Sequence, residues 1–273
     1  MEREKAPPPV AFEDFSPVWQ PFSTGEIEGL FYTSARLLNP KLELWAIKAD
    51  LSRPSLRIVV SDGRLSAKVS SFVRDRGLLA GINTVPFDPA SAKEGEERKN
   101  VGIVVSGGAV ISRPVNNYDA LVFYKAQSGG TAQRAAIIPQ GEIGNLELVE
   151  NAVGGFRIIL DEGELAERLL SGNAPRHPRS AAGLSKDGQT LYLLAVDGRR
   201  PGSIGATEAE TALILKKLGA EQGLNFDGGG STAMALRFPD GRTKTVNTPV
   251  HSGIPGRERA VAACLGLGTV ESE

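Results

Sequence analysis

Within LNFDGGGSTAMAL, an acidic residue is followed by three glycines and two hydroxyls: Asp227-Gly228-Gly229-Gly230-Ser231-Thr232. Consecutive glycines admit positive φ and close approach of the main chain, so this string can turn several N–H groups toward an anion, with Asp227 at the lip. It serves equally well as a tight crossing between strands where no Cβ fits, with Ser231 and Thr232 opening the next strand. Spacing alone leaves both readings open. The string is not a nucleotide-binding P-loop, because neither the spacing nor the lysine of that loop is present. Nor is it a dinucleotide fingerprint, since a hairpin strand follows where a helix should open.

Two arginine-bearing stretches precede it. His177-Pro178-Arg179-Ser180 stands just before an apolar run, and Asp197-Gly198-Arg199 ends that run. Arginine is the fork-shaped partner of phosphate and carboxylate, so Arg179 and Arg199 beside a glycine nest would form an anion pocket. The plainer alternative makes Asp197 a turn cap and Arg199 a solvated charge. Asn83, in AGINTVPFDP, lies where asparagine commonly forms a turn of its own. The two histidines, His177 and His251, adjoin proline or glycine and lack the spacing of a zinc site, so they read as loop residues.

The elements that must carry these residues are legible as alternating hydrophobic runs and turns. LELWAIKADL and SLRIVVSDG have strand periodicity, and SAKVSSFVRDRG has Val69, Phe72 and Val73 at helical spacing with Gly77 to stop it. Three hairpins are expected: VGIVVS-GG-AVIS, AAGLS-KDG-QTLYLLAVDG and STAMALRF-PDG-RTKTV. A second helix is marked by Thr207 as N-cap, Glu210 as its capping-box partner and Gly219 as the stop. Hairpins with a few interspersed helices predict an α+β fold of mostly antiparallel or mixed sheets in a single body. The expected boundaries are a Pro-rich flexible leader over residues 1–20 and one domain over 21–270, with SAKEGEERKN as a solvated loop.

Composition narrows the chemistry. With 31 Lys plus Arg against 32 Asp plus Glu, no global field would hold nucleic acid or an anionic membrane, so anion binding must be local. The lone Cys264 excludes an internal disulfide framework and a cysteine-rich metal site. The N-terminus lacks an apolar signal region, and the longest late apolar run, AVAACLGLG, is too short to span a bilayer. No membrane span and no nucleic-acid partner are expected.

Taken in order, AGINTVPF, NAVGGFRIILDEGE, HPRSAAGLSKDGQTLYLLAVDGR, TEAETALILKKLGA, LNFDGGGSTAM and NTPVHSGIPGRERAVAACLGL resemble the phosphodiester glycosidase family over roughly residues 25–268. The resemblance implies hydrolysis of a sugar joined through its anomeric oxygen to a phosphodiester, as in N-acetylglucosamine-1-phosphodiesters. Free sugar and a phosphomonoester would be released. It further implies an extracytoplasmic setting, with the signal or anchor outside the given sequence, and exopolysaccharide or cell-envelope glycans as substrate. The family's recurrent polar positions fall on Asn83, Arg179, Asp197, Arg199, Glu210, Asp227 to Ser231, Asn247 and Arg259, with Thr232 adjoining them. Thr84-Val85-Pro86 replaces the usual small residues after the asparagine, which bears on sugar preference.

Glycoside hydrolysis ordinarily takes two carboxyl groups, but a departing phosphate monoester needs charge stabilisation more than a proton. One carboxylate would then suffice, with Arg179, Arg199 and the Gly228–Ser231 backbone holding the phosphate. Asp227 or Asp197 is expected to attack the anomeric carbon or activate water, Asp227 being favoured because it is locked beside the glycines. Glu210 is expected in a supporting role. A divalent cation on Asp227 or Asp197 would be calcium or magnesium, but no dedicated loop for one is present and no cofactor is expected. The rival readings are a non-catalytic polysaccharide- or anion-binding module and a structural domain of an envelope assembly.

Overall fold

The computed structural model describes residues 12, 14–22, 28–62, 64–91, 93–126, 134–170 and 174–269. Most of the expected leader lies outside these residues. Phe12, Phe15 and Trp19, which the sequence reading placed in it, pack into an apolar cluster beside the second helix.

Three sheets converge on one core. The largest has eight strands, in the spatial order Gln20–Pro21, Leu30–Leu38, Lys41–Asp50, Thr190–Val196, Arg179–Leu184, Gln222–Asn225, Arg157–Asp161 and Glu164–Leu165. A five-stranded sheet runs Thr243–Thr245, Met234–Arg237, Ala80–Asn83, Cys264–Thr269 and Leu56–Val60. The other five-stranded sheet is built around Asp119–Tyr124 and Val149–Gly154. Ile47, Ile82, Phe123, Leu193, Leu224, Phe226 and Leu265 are drawn from all three sheets into one apolar cluster. Every strand ladder among the described residues is antiparallel, with one isolated parallel bridge between Val250 and Arg257. The expectation of α+β therefore resolves into a predominantly β body carrying two short α-helices.

The three expected hairpins form. Gly107 and Gly108, at φ 55° and 79°, make the two-residue turn between Val104–Ser106 and Ala109–Ser112. Helix α1, Val69–Asp75, covers the outer face of the first five-stranded sheet through Val69, Phe72 and Val73. Its N-cap, Lys68, has no side-chain capping bond. The orphan donors are met from elsewhere in the chain: Glu94 accepts from the Lys68 N–H at 2.7 Å and Glu258 from the Ser70 N–H at 3.0 Å. Glu94 belongs to the charged run expected as a solvated loop; instead it is a helix cap, and Arg98 of the same run is buried.

Helix α2, Glu208–Leu218, lies across the outer face of the large sheet and buries Ala212, Ile214, Leu215 and Leu218. The capping box is complete: Glu210 N–H donates to Thr207 Oγ1 at 3.1 Å, and Thr207 N–H donates to Glu210 Oε2 at 2.9 Å. Gly219, at φ 112°, supplies the left-handed stop. Glu210 carries a second duty, since both its oxygens also accept from the Arg176 guanidinium. Replacing Glu210 by Gln should therefore destabilise the fold by about 1–3 kcal/mol in chemical denaturation, because what is lost is a buried helix-to-loop ion pair.

Candidate functional site

The glycine string lies where the chain passes from the large sheet to the five-stranded one. After Gln222–Asn225, the Phe226 N–H donates to Ser180 O at 2.9 Å, still on the large sheet. The next residue has changed sheets: the Asp227 N–H donates to Thr84 O at 2.8 Å. A short 3-10 turn, Gly229–Ser231, then leads into Met234–Arg237.

Each of the three glycines faces a different neighbour: main chain at Gly228, and the ends of two arginine side chains at Gly229 and Gly230. A Cβ on Gly228 would stand 2.7 Å from Pro178 O. One on Gly229, at φ +60°, would stand 2.9 Å from Arg199 Nη2, and one on Gly230 would stand 2.5 Å from Arg259 Nη2. The close-crossing reading and the functional reading thus meet in one loop, because two of the groups that exclude a Cβ are guanidinium groups. The expected backbone nest is different from the one observed. N–H groups of Gly229, Ser231 and Thr232 donate to the carbonyls of Pro178, Gly228 and Gly229 at 2.8, 3.1 and 3.3 Å, and that of Gly228 serves the Asp227 carboxylate. Positive charge at this place comes from side chains.

Asp227 is the carboxylate that faces this charge. Burial pushes its carboxyl up to about 6, against the opposing pull of Ser231, Arg259 and the Gly228 N–H. It keeps some exposed surface. Arg259 donates from Nη1 to Ser231 Oγ at 3.1 Å and from Nε to His251 Nδ1 at 3.0 Å. Arg199 is exposed, sits at φ 60° and has no hydrogen bond or ion pair among the described residues. Its strained left-handed backbone holds a free guanidinium over Gly229. The positive charge of Arg199 also reaches His177, whose imidazole is held below the usual histidine range by burial, Arg179 and Arg199.

Other expected site residues brace the loop. Asn83 is almost fully buried: its Nδ2 donates to Asp227 O at 2.6 Å, and its Oδ1 accepts from Ser180 Oγ at 2.6 Å and Ala233 N–H at 3.1 Å. Asn247 donates to Asp197 Oδ1 and to Thr232 O, both at 3.1 Å, and accepts from the Met234 N–H at 2.8 Å. Thr232 is wholly buried, and its Oγ1 has no hydrogen-bond partner.

Three expectations change. Arg179 points to the face of the sheet covered by α2, donating to Ala206 O at 3.0 Å and Pro175 O at 3.2 Å, so it does not join Arg199 above the glycines. Strand alternation is the cause: Ser180 faces the core and the loop, and Arg179 the opposite side. Asp197 is wholly enclosed and committed. It accepts from Arg200 Nε at 3.1 Å, from Asn247, and from the Thr248 N–H at 3.0 Å, and Arg200 is shared with Glu43. Burial pushes the Asp197 carboxyl up, and these partners pull it back. Glu210 is occupied by Arg176 and its own helix cap, away from the glycines. Sequence reasoning missed Arg176, Arg200 and His251, whose partners lie far along the chain or in an unremarkable loop.

Among the described residues, no three His, Cys, Asp or Glu side chains are grouped to hold a metal. A calcium or magnesium ion at Asp197 would have to displace Arg200, and one at Asp227 would face Arg259.

The antiparallel β body is also the fold of several known structures. A hypothetical protein from Synechocystis aligns with a TM-score of 0.62 and 17% identity over 88% of this chain and 62% of its own. An inferred exported protein of Burkholderia pseudomallei gives 0.65 and 16% identity, over 84% of this chain and 74% of its own. The catalytic domain of zebrafish N-acetylglucosamine-1-phosphodiester alpha-N-acetylglucosaminidase, auto-inhibited by its pro-peptide, gives 0.62 and 18% identity over 96% and 91%. The chain thus spans less than two thirds of the Synechocystis protein's length. No curated protein sequence gives a significant match. The phosphodiester glycosidase profile matches residues 76–268, and the chain belongs to that family.

The raised Asp227 carboxyl has a thermodynamic signature. Its folded-state value lies above the ordinary one, so the stability it provides is complete below about pH 4 and is lost as pH rises through about 6. Asp227→Asn removes that loss. The variant should unfold at higher temperature than the parent at pH 7.5, by up to about 3 kcal/mol in stability, with the gain vanishing near pH 4.

Proposed function

We propose that this protein hydrolyses the glycosidic bond of a sugar-1-phosphodiester of the N-acetylglucosamine-1-phosphodiester kind, releasing free sugar and a phosphomonoester. Exopolysaccharide or cell-envelope glycans would be its substrates. The observation that carries this reading is the glycine turn itself, where the Asp227 carboxylate faces Arg259 and the unpaired Arg199 guanidinium lies over Gly229: one poised carboxylate and a place for the leaving phosphate. Family membership and the zebrafish enzyme's fold support it.

In this reading Asp227, ionised, attacks the anomeric carbon to give a glycosyl ester that water then hydrolyses to free sugar and the carboxylate, or takes a proton from a water that attacks that carbon directly. As the bond between the anomeric carbon and the bridging oxygen breaks, its electron pair passes to that oxygen and leaves with the phosphate. Arg199, free of other partners, receives the growing charge on the phosphate, and Arg259 fixes Ser231 and Asp227. A phosphomonoester departs without full protonation, so a second carboxyl acid is not required. This agrees with Asp197 and Glu210 being held by Arg200 and Arg176. A location outside the cytoplasm belongs to the same proposal; the Burkholderia neighbour, whose export is inferred, is in line with it, and no helix among the described residues is long and apolar enough to cross a membrane.

Incubation with an N-acetylglucosamine-1-phosphodiester in heavy-oxygen water should place the label on the sugar. Label on the phosphate would mark a phosphodiesterase, and binding without turnover a carbohydrate-binding module. Asp227→Asn should abolish turnover in a folded protein, and Arg199→Ala should lower kcat/KM about a hundredfold. Because Asp227 must be ionised, kcat/KM should fall about tenfold per pH unit below about 6.

A further inference from the structure

His251 belongs to a two-residue strand, Val250–His251, that pairs with Ile254–Pro255 in a small hairpin separate from the main sheets. The turn of that hairpin includes Ser252 at φ 53°. His251 is 7% exposed, and among the described residues the only side chains hydrogen-bonded to it are those of Arg259 and Ser252. Arg259 can only donate, so Nδ1 of His251, 3.0 Å from Arg259 Nε, must carry a lone pair. The ring proton therefore resides on Nε2, 3.3 Å from Ser252 Oγ. From there a directed chain runs to the carboxylate. Arg259 Nη1 donates to Ser231 Oγ at 3.1 Å, and Ser231 hydrogen-bonds the Asp227 side chain.

We propose that His251 is a positioning residue: its neutral imidazole grips Arg259 at Nε and so keeps the guanidinium locked against Ser231 and beside Asp227. The proposal rests on Asp227 being the working carboxylate. An arginine side chain has many rotamers to lose, and one bond to Ser231 leaves it free to swing about Nη1. The second bond, at Nε, fixes its plane. Close approach at Gly230 then sets how deeply it lies in the turn. The charged groups acting on His251 keep it in the required form. Burial, Arg259 and Arg257 all hold the imidazole below the usual histidine range, so it remains an acceptor at neutral pH. The carboxylate adjacent in sequence, Glu258, is turned away to the α1 N-terminus, where Ser70 Oγ donates to it at 2.6 Å.

The test follows the ionisation of Asp227 directly, by carbon NMR of protein labelled at aspartate carboxyl groups, with Asp227→Asn identifying the signal. His251→Phe keeps a planar ring and loses the acceptor; His251→Asn keeps an acceptor near the Nδ1 position and cannot become charged. In His251→Phe the Asp227 midpoint should move up by about one unit, with kcat/KM at pH 7 falling about ten- to hundredfold. In His251→Asn both should return close to the parent. With Arg259→Lys as background, which has no Nε to hold, His251→Phe should add nothing further. An unmoved midpoint in His251→Phe, an equal defect in His251→Asn, or additive effects in the Arg259→Lys background would each overturn the positioning role. If the parent shows no hydrolysis while the midpoints move as expected, the proposed reaction fails and the positioning role stands. If it hydrolyses substrate while the midpoints stay fixed, the reverse holds.

Discussion

A single buried amide holds this architecture at its critical point. Asn83 ends a strand of the five-stranded sheet, and its side chain donates to Asp227 O while accepting from Ser180 of the large sheet and from Ala233 beyond the glycine turn. Three segments remote in sequence are registered by one side chain that has no alternative partner. Buried polar groups of this kind cost several kcal/mol when unmatched, so the arrangement is nearly all-or-none. The two sheets cannot slide past each other without leaving an amide, a hydroxyl and a carbonyl unpaired in the interior.

On that base, three carboxylates of similar intrinsic chemistry diverge. Asp197 is enclosed by Arg200, Asn247 and the Thr248 N–H; Glu210 is shared between Arg176 and a helix cap. Both have their charges compensated and their oxygens occupied, as suits structural groups. Asp227 has a hydroxyl, one N–H and an arginine that leans on the same hydroxyl, with some surface left open. Burial is therefore less completely offset there, which is the physical reason that its ionisation lies within reach of neutral pH.

How much of this was legible in the sequence depended on the range of the interaction. Capping boxes, glycine stops and two-residue turns act over a few residues, and Thr207, Glu210, Gly219 and Gly107-Gly108 stand where their types predict. The triple glycine announced close approach, yet its three neighbours come from Pro178, Arg199 and Arg259, and no local pattern shows which neighbour meets which glycine. Arg179 and Arg199 seemed equivalent as strings, but sheet alternation sends the first beneath α2, whereas a left-handed residue after Gly198 lifts the second over the turn. His251 gave no signal, because accepting one bond from an arginine eight residues later requires no recognisable spacing.

The neighbouring pair Glu258-Arg259 joins the site to a helix on the outside of the fold. Glu258, with Glu94, caps the first turn of α1, and Arg259, the next residue, reaches inward to Ser231. A seven-residue helix is too short to hold itself in water, so α1 depends on partners elsewhere in the chain. The peptide that supplies one of them also aims the guanidinium beside Asp227, so the seating of a peripheral helix and the charge at the glycine turn are set by two consecutive residues.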